Sequence, residues 1–191
     1  MPLSSKYRYI ILICGLWIAG CGAFGGTGFA ATLKDELASI DANIVFMRHA
    51  LAPGTGDPGN FDITNCNRQR NLDEAGRRQA KEAGDFFRAE QVEFHQILSS
   101  RWCRCTETAS LMDLGPFTTF DGLNSFFNGH VDKAETIALL KQKLATLDRK
   151  SVTLLVTHQV VIRAITNISP SSGGLVLYNS DTKQAKSVRW Q

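Results

Sequence analysis

The sequence predicts an α/β fold: a three-layer sandwich with a mostly parallel central sheet and helices on both faces. Two observations carry that prediction. Short apolar segments of strand length alternate with longer segments whose apolar residues recur every three or four positions. Three of the short segments lead directly into charged or polar side chains, as strands do where a parallel sheet presents a ligand site at its carboxyl edge.

In chain order, residues 33–40 have the spacing of a short amphipathic helix. Residues 43–47, apolar after Asn43, read as a buried strand that ends at Arg48-His49. The stretch 51–71, with Pro53, Gly54, Gly56, Pro58 and Gly59, reads as a long loop of the kind that carries function. Asn71 as N-cap, with Glu74 three residues later, opens a helix. Ala75, Gln79, Ala80, Ala83, Phe86 and Phe87 keep helical spacing to about residue 89. Residues 97–100 read as a second buried strand, 102–112 as a helix and 117–120 as a short strand. The segment 131–147 is predicted helical from Ile137, Leu140, Leu144 and Leu147. Residues 152–157 (VTLLVT) form the clearest core strand, 160–168 a helix and 175–178 a last buried strand.

The N-terminal 30 residues read differently. Lys6 and Arg8 precede an uncharged, mostly apolar run at 9–20. It is shorter than the roughly 20 residues a spanning helix needs and has the length of a signal-peptide core. Ile18-Ala19-Gly20-Cys21 fits a lipoprotein signal with the lipid on Cys21. Gly28-Phe29-Ala30 offers the small residues a signal peptidase reads. The expected division is a signal and tether at 1–30 and a folded domain at 31–191. The domain is expected to be exported to the periplasm, lipid-anchored to a membrane if Cys21 is the processing site. A net charge of +3 gives no argument for nucleic acid. Cys66, Cys103 and Cys105 lie in the domain, where an oxidising compartment favours a disulfide of Cys66 with Cys103 or Cys105. Their spacing is not that of a zinc site, so no metal is expected.

The three strands that end in reactive groups bring together Arg48, His49, Arg104 and His158. Guanidinium forks suit phosphate oxygens, and imidazoles titrate near neutrality. One neutral imidazole can attack phosphorus in line while the other donors stabilise the equatorial oxygens. Arg101 is a further candidate substrate contact. The Arg68-Gln69-Arg70 run reads mainly as a solvated face, with contact to substrate or to an anionic surface as the alternative.

At these residues the chain resembles the histidine phosphatase superfamily, also called phosphoglycerate-mutase-like proteins. Phe46-Met47-Arg48-His49-Ala50 is similar to that family's Arg-His-Gly signature. Leu72 to Ala80 resembles its Leu-Thr-x-x-Gly-x-x-Gln-Ala helix. Ser99 to Ala109 resembles Ser-Ser-Pro-Leu-x-Arg-Ala-x-Gln-Thr-Ala, and Val156-Thr157-His158-Gln159 its late Thr-His-Gly. The resemblance implies His49 as the phosphorylated nucleophile, with Arg48, Arg104 and His158 completing the pocket, and a reaction without metal or other cofactor. It implies a small phosphorylated molecule or phosphorylated glycan as substrate, because exported proteins of this pattern resemble the lipopolysaccharide heptose-phosphate phosphatases.

The departures set further expectations. Gln159, a candidate substrate contact, stands where relatives have Gly, or the Asp that acid phosphatases use as proton donor. Leu123-Asn124-Ser125 falls where many relatives carry Leu-x-Glu, the general acid. Asp57, Glu107 and Asp121 are therefore the candidate proton donors. The missing acid also motivates an alternative: a catalytically weak, anion-binding envelope protein of the same fold.

Overall fold

A computed structural model describes residues 31–190. The expected signal and tether at 1–30, with the lipidation candidate Cys21, lie outside them. Among the described residues no helix is long and apolar enough to cross a membrane.

Among the described residues six strands, β1 (Ile44–Arg48), β2 (Gln96–Ser99), β3 (Thr118–Thr119), β4 (Thr153–Thr157), β5 (Leu175–Tyr178) and β6 (Ala185–Val188), form one sheet. Their order is β3-β2-β4-β1-β5-β6. The four strands β3, β2, β4 and β1 run parallel; β5 is antiparallel to β1, and β6 is antiparallel to β5. The expected α/β architecture is present. Strand β6 has no counterpart in the sequence reading, because Ala-Lys-Ser-Val is a polar edge strand with no fully buried residue.

Among the described residues five α-helices cover the sheet: α1 (Leu33–Ser39), α2 (Glu74–Ala89), α3 (Cys103–Met112), α4 (Lys133–Thr146) and α5 (Gln159–Thr166). The two-residue period of the strands decides which helix packs where. Val45 and Met47 of β1, with Leu154 and Val156 of β4, share one core with Leu37 of α1, Phe87 of α2 and Met112 of α3. Ile44 and Phe46, with Leu155, share the other core with Leu140 and Leu144 of α4 and Ile162 of α5. The continuous apolar runs of β1 and β4 are what a strand buried on both faces requires.

Helix α2 fixes the chain that leaves β1. It starts at Glu74, so its cap is Asp73 and not Asn71; Asp73 accepts from the Gly76 N–H at 2.7 Å. The Asn71 amide instead donates to the Cys66 carbonyl at 2.7 Å. At Gly76 a Cβ would lie 1.9 Å from the Leu51 carbonyl oxygen, so only glycine permits this backbone approach. One turn on, Gln79 accepts from the Leu51 N–H at 2.8 Å and donates to the Ser172 carbonyl at 3.0 Å. The long loop thus starts from a rigid point. Its far end is tied to α3 by a Cys66–Cys103 disulfide, one of the two pairings open from sequence. Gln69 adds to that tie by accepting from the Cys103 N–H at 2.9 Å. Cys105 stays free and buried.

Candidate active site

Strands β2, β4 and β1 are adjacent and parallel, so their carboxyl ends lie side by side. Arg48 pairs with Thr157 in register, and Ser99 with Val156. The ladders continue one residue further, with the His49 N–H on the Thr157 carbonyl and the Ser100 N–H on the Val156 carbonyl, each at 2.9 Å. His49, Ser100 and His158 therefore leave the sheet at one level. The two imidazoles meet edge to face, with ring centroids 5.4 Å apart. They line a cavity of about 160 Å³ with Arg48, Arg70, Arg104, Ser125 and Gln159.

The hydrogen bonds fix the proton positions. His49 Nδ1 lies 2.7 Å from the Ala50 carbonyl. A carbonyl only accepts, so Nδ1 carries the proton and Nε2 keeps its lone pair. His158 Nδ1 accepts from Arg104 Nη2 at 3.4 Å. Its Nε2 therefore donates to Ser100 Oγ at 2.9 Å, and Ser100 donates on to Asn124 Oδ1 at 3.2 Å. Cys105 Sγ lies 3.5 Å from the same Nε2. Burial pushes the Cys105 thiol up to about 12, so it stays protonated.

Both imidazoles are held neutral. Burial, then the charge of Arg104, lowers His49 well below the ordinary histidine value; Arg48 and Arg70 act the same way, and the Ala50 carbonyl only partly opposes them. Burial and Arg104 also lead the downward shift of His158. A stability consequence follows. The unfolded chain titrates these histidines near 6.5 and so binds more protons than the fold below that pH. Stability is fully present above about pH 6.5 and falls as pH drops, by up to about 1.4 kcal/mol per pH unit for each histidine. Urea midpoints from pH 8 to pH 5 check this; a midpoint that does not fall would contradict it.

Arg104 is clamped by Asp57, with Nη1 to Oδ1 at 2.8 Å and Nη2 to Oδ2 at 3.3 Å. Both side chains are 3% exposed. Asp57 also accepts from the Arg70 N–H at 3.1 Å and Trp102 Nε1 at 3.0 Å. Burial alone would raise its carboxyl, but Arg104 and the other donors hold it below the usual range. Three guanidiniums against one carboxylate leave about two positive charges, which complement a phosphate dianion. The Nε of Arg48 and the Nε of Arg104 are buried without an acceptor among the described residues. An unmet buried donor costs about 1–3 kcal/mol, a cost that an anion within reach of either N–H would relieve.

Of the expected residues, the fold brings together Arg48, His49, Arg104, His158 and Gln159. The proton-donor candidates need correction. Glu107 sits outside the cavity, bound to Arg77 at 2.7 Å. Asp121 pairs with Arg101 at 3.6 Å and accepts from the Asn124 amide. Arg101 is exposed and does not line the cavity. Asp57 is at the site, but as a fully engaged carboxylate. Arg70 is not on a solvated face: it lines the cavity, its Nε donating to the Gly56 carbonyl at 2.9 Å and its Nη1 to the Ala52 carbonyl. Its place in an irregular loop gave no periodic signal.

Comparison with solved structures finds the same fold. The protein histidine phosphatase SixA complexed with tungstate is 14% identical, with 76% of this chain and 94% of that one covered and a TM-score of 0.53. SixA from Agrobacterium tumefaciens is 20% identical, with 78% and 97% covered and a TM-score of 0.53. A mycobacterial glucosyl-3-phosphoglycerate phosphatase in complex with VO3 is 14% identical, with 78% and 98% covered and a TM-score of 0.56. Comparison with curated proteins finds no match. The sequence pattern of the histidine phosphatase superfamily (branch 1) matches residues 44–148, more than half of the chain. With that match, the chain belongs to the histidine phosphatase superfamily, branch 1.

Proposed function

We propose that the protein is a phosphatase that hydrolyses a small phosphorylated molecule through a phosphohistidine on His49. One observation carries this reading: two buried guanidinium N–H donors without acceptors, on Arg48 and Arg104, flank a neutral imidazole whose Nε2 lone pair is available. The Nε2 attacks phosphorus while Arg48, Arg70 and Arg104 hold the non-bridging oxygens and the leaving group departs. Water then releases phosphate from His49. The three guanidiniums supply the positive charge that a metal supplies in other phosphatases, which supports a reaction that needs none.

The fold neighbours are phosphatases of different substrates by name, a protein histidine phosphatase and a glucosyl-3-phosphoglycerate phosphatase. They support the activity and leave the substrate open, and nothing in the lining selects a phosphorylated glycan or a heptose phosphate. The signal-like residues 1–30 support export to the periplasm, with Cys21 as the point of membrane attachment. The Cys66–Cys103 disulfide supports an oxidising compartment.

The test is trapping. The protein is mixed with an aryl phosphate labelled in its phosphoryl group and quenched in base, where phosphohistidine survives. The label should map to the peptide that contains His49. Label on another residue, or anion binding with no label and no turnover, would contradict the reading and favour the anion-binding alternative.

A further inference from the structure

Of the guanidiniums that line the cavity among the described residues, Arg70 alone is carried by an irregular loop. Arg48 ends β1, and Arg104 lies in the first turn of α3. Between β1 and α2 the regular structure among the described residues is a 3-10 turn at Cys66–Arg68. The Arg70 side chain rests on carbonyls of that same loop, those of Gly56 and Ala52, so it moves with the loop. The like charges of Arg104 and Arg48 push against it, with Asp57 opposing them. The covalent tie of this loop to α3 is the Cys66–Cys103 disulfide, which joins residues 37 apart in sequence. Cys103 is the residue before Arg104, and Cys66 lies just before Arg70 at the other end of the 3-10 turn. The bridge also holds a cap in place. Trp102, at the start of α3, makes no side-chain capping bond, and Gln69 of the loop fills that role at the Cys103 N–H. Cys66 is exposed and Cys103 half-buried. Both line a surface groove of about 530 Å³ with Leu111 and Phe117, so a thiol reaches the bridge.

We propose that the Cys66–Cys103 disulfide positions Arg70 in the anion site, so that the enzyme reaches full activity only once both thiols are oxidised. This rests on the phosphatase reading and adds a redox condition to the same site. A cross-link removes arrangements that the open loop would otherwise sample, and a binding group misplaced by about 1 Å forfeits up to about 10²-fold in rate. Oxidation proceeds by exchange with an incoming disulfide, small-molecule or protein. The Cys66 thiolate attacks it, forms a mixed disulfide and expels one thiolate. The Cys103 thiolate then attacks the Cys66 sulfur and expels the second. Two electrons and two protons pass from the two thiols to the incoming disulfide, which leaves as two thiols. A dithiol reductant reverses both steps. Cys105 does not divert the exchange: it is buried, and its thiol is pushed up to about 12 and stays protonated. In a reducing compartment the chain keeps a loose Arg70, and oxidation after the export proposed above completes the site.

The experiment compares the oxidised protein, the protein reduced with dithiothreitol, and Cys66→Ser, in the wild-type and Arg70→Ala backgrounds. Alkylation and mass confirm the thiol state. The readouts are kcat/KM for an aryl phosphate, affinity for inorganic phosphate, and a thermal melt. The reduced protein and Cys66→Ser should still melt cooperatively, bind phosphate more weakly and lose about 10–10²-fold in kcat/KM. Reoxidation with a small-molecule disulfide should restore the reduced wild type but not Cys66→Ser. In the Arg70→Ala background, opening the bridge should change kcat/KM and phosphate affinity by no more than about twofold, because the group it positions is already gone. Folded, reduced wild type within about twofold of the oxidised protein would overturn the proposal. So would an equal loss in both backgrounds, and so would a reduced chain that no longer melts cooperatively, which would make the bridge a staple of the whole fold. Absence of turnover in the oxidised wild type would overturn the phosphatase reading instead, while phosphate affinity, which needs no chemistry, would still decide whether the bridge positions Arg70.

Discussion

His49→Ala is expected to lower kcat/KM for an aryl phosphate by about 10⁴-fold or more, the scale on which removing a covalent nucleophile acts. No neighbouring group can take over. His158 has its lone pair on Arg104 and its proton on Ser100, and the Cys105 thiol is held protonated. The variant should still fold and still bind inorganic phosphate, because the three guanidiniums remain. Its stability loss should be about 1–3 kcal/mol, from a lost side-chain contact and an unmet Ala50 carbonyl. Steady-state rates, a thermal melt and phosphate titration separate these effects. A variant that keeps its fold and more than a tenth of the wild-type rate would remove His49 from the chemistry.

Asp57→Asn should produce the largest stability loss of any conservative change at the site. Asp57 neutralises Arg104 where both are almost fully buried. Breaking such a pair costs about 3–5 kcal/mol, because the remaining charge stays buried without its partner. For a domain of this size that is a drop in Tm of roughly 10 °C. Activity should fall with it, since the same carboxylate also holds the Arg70 backbone and Trp102. Added inorganic phosphate should restore part of the Tm by supplying the missing negative charge. Had Asp57 been the proton donor, the same change would lower the rate with an unaltered Tm; calorimetry beside kinetics distinguishes the two roles.

The parts of this molecule that periodicity and local motif control were readable from sequence. Strand β1 is apolar at every position before its last, and β4 at Leu154, Leu155 and Val156, because both faces are covered, and the polar residue after each strand marks the sheet edge. The Gly76 and Gln79 positions of the family-like helix have a direct physical reason: a 1.9 Å Cβ clash at Leu51 and a side-chain bond to the Leu51 N–H. What sequence could not show depends on distances across irregular loops. Arg70 reaches the cavity because Asp57 and the Gly56 carbonyl hold it there. Nothing in the Arg68-Gln69-Arg70 run distinguishes the inward arginine from the outward one. The sequence offered three candidate acids, Asp57 and Glu107 ahead of Asp121, yet each is bound to a different arginine, a choice made by tertiary packing alone. The helix cap at Asp73 and not Asn71 is a boundary shift of two residues between two good capping types.

The central claim is that Arg48, His49, Arg104 and His158 surround one anion site with Nε2 of His49 aimed at its centre. A crystal structure of the protein with orthovanadate tests this most directly. The account predicts vanadium bonded to His49 Nε2, with vanadate oxygens on the guanidiniums of Arg48 and Arg104. Vanadate bound away from His49, or held by the arginines with Nε2 turned aside, would contradict it.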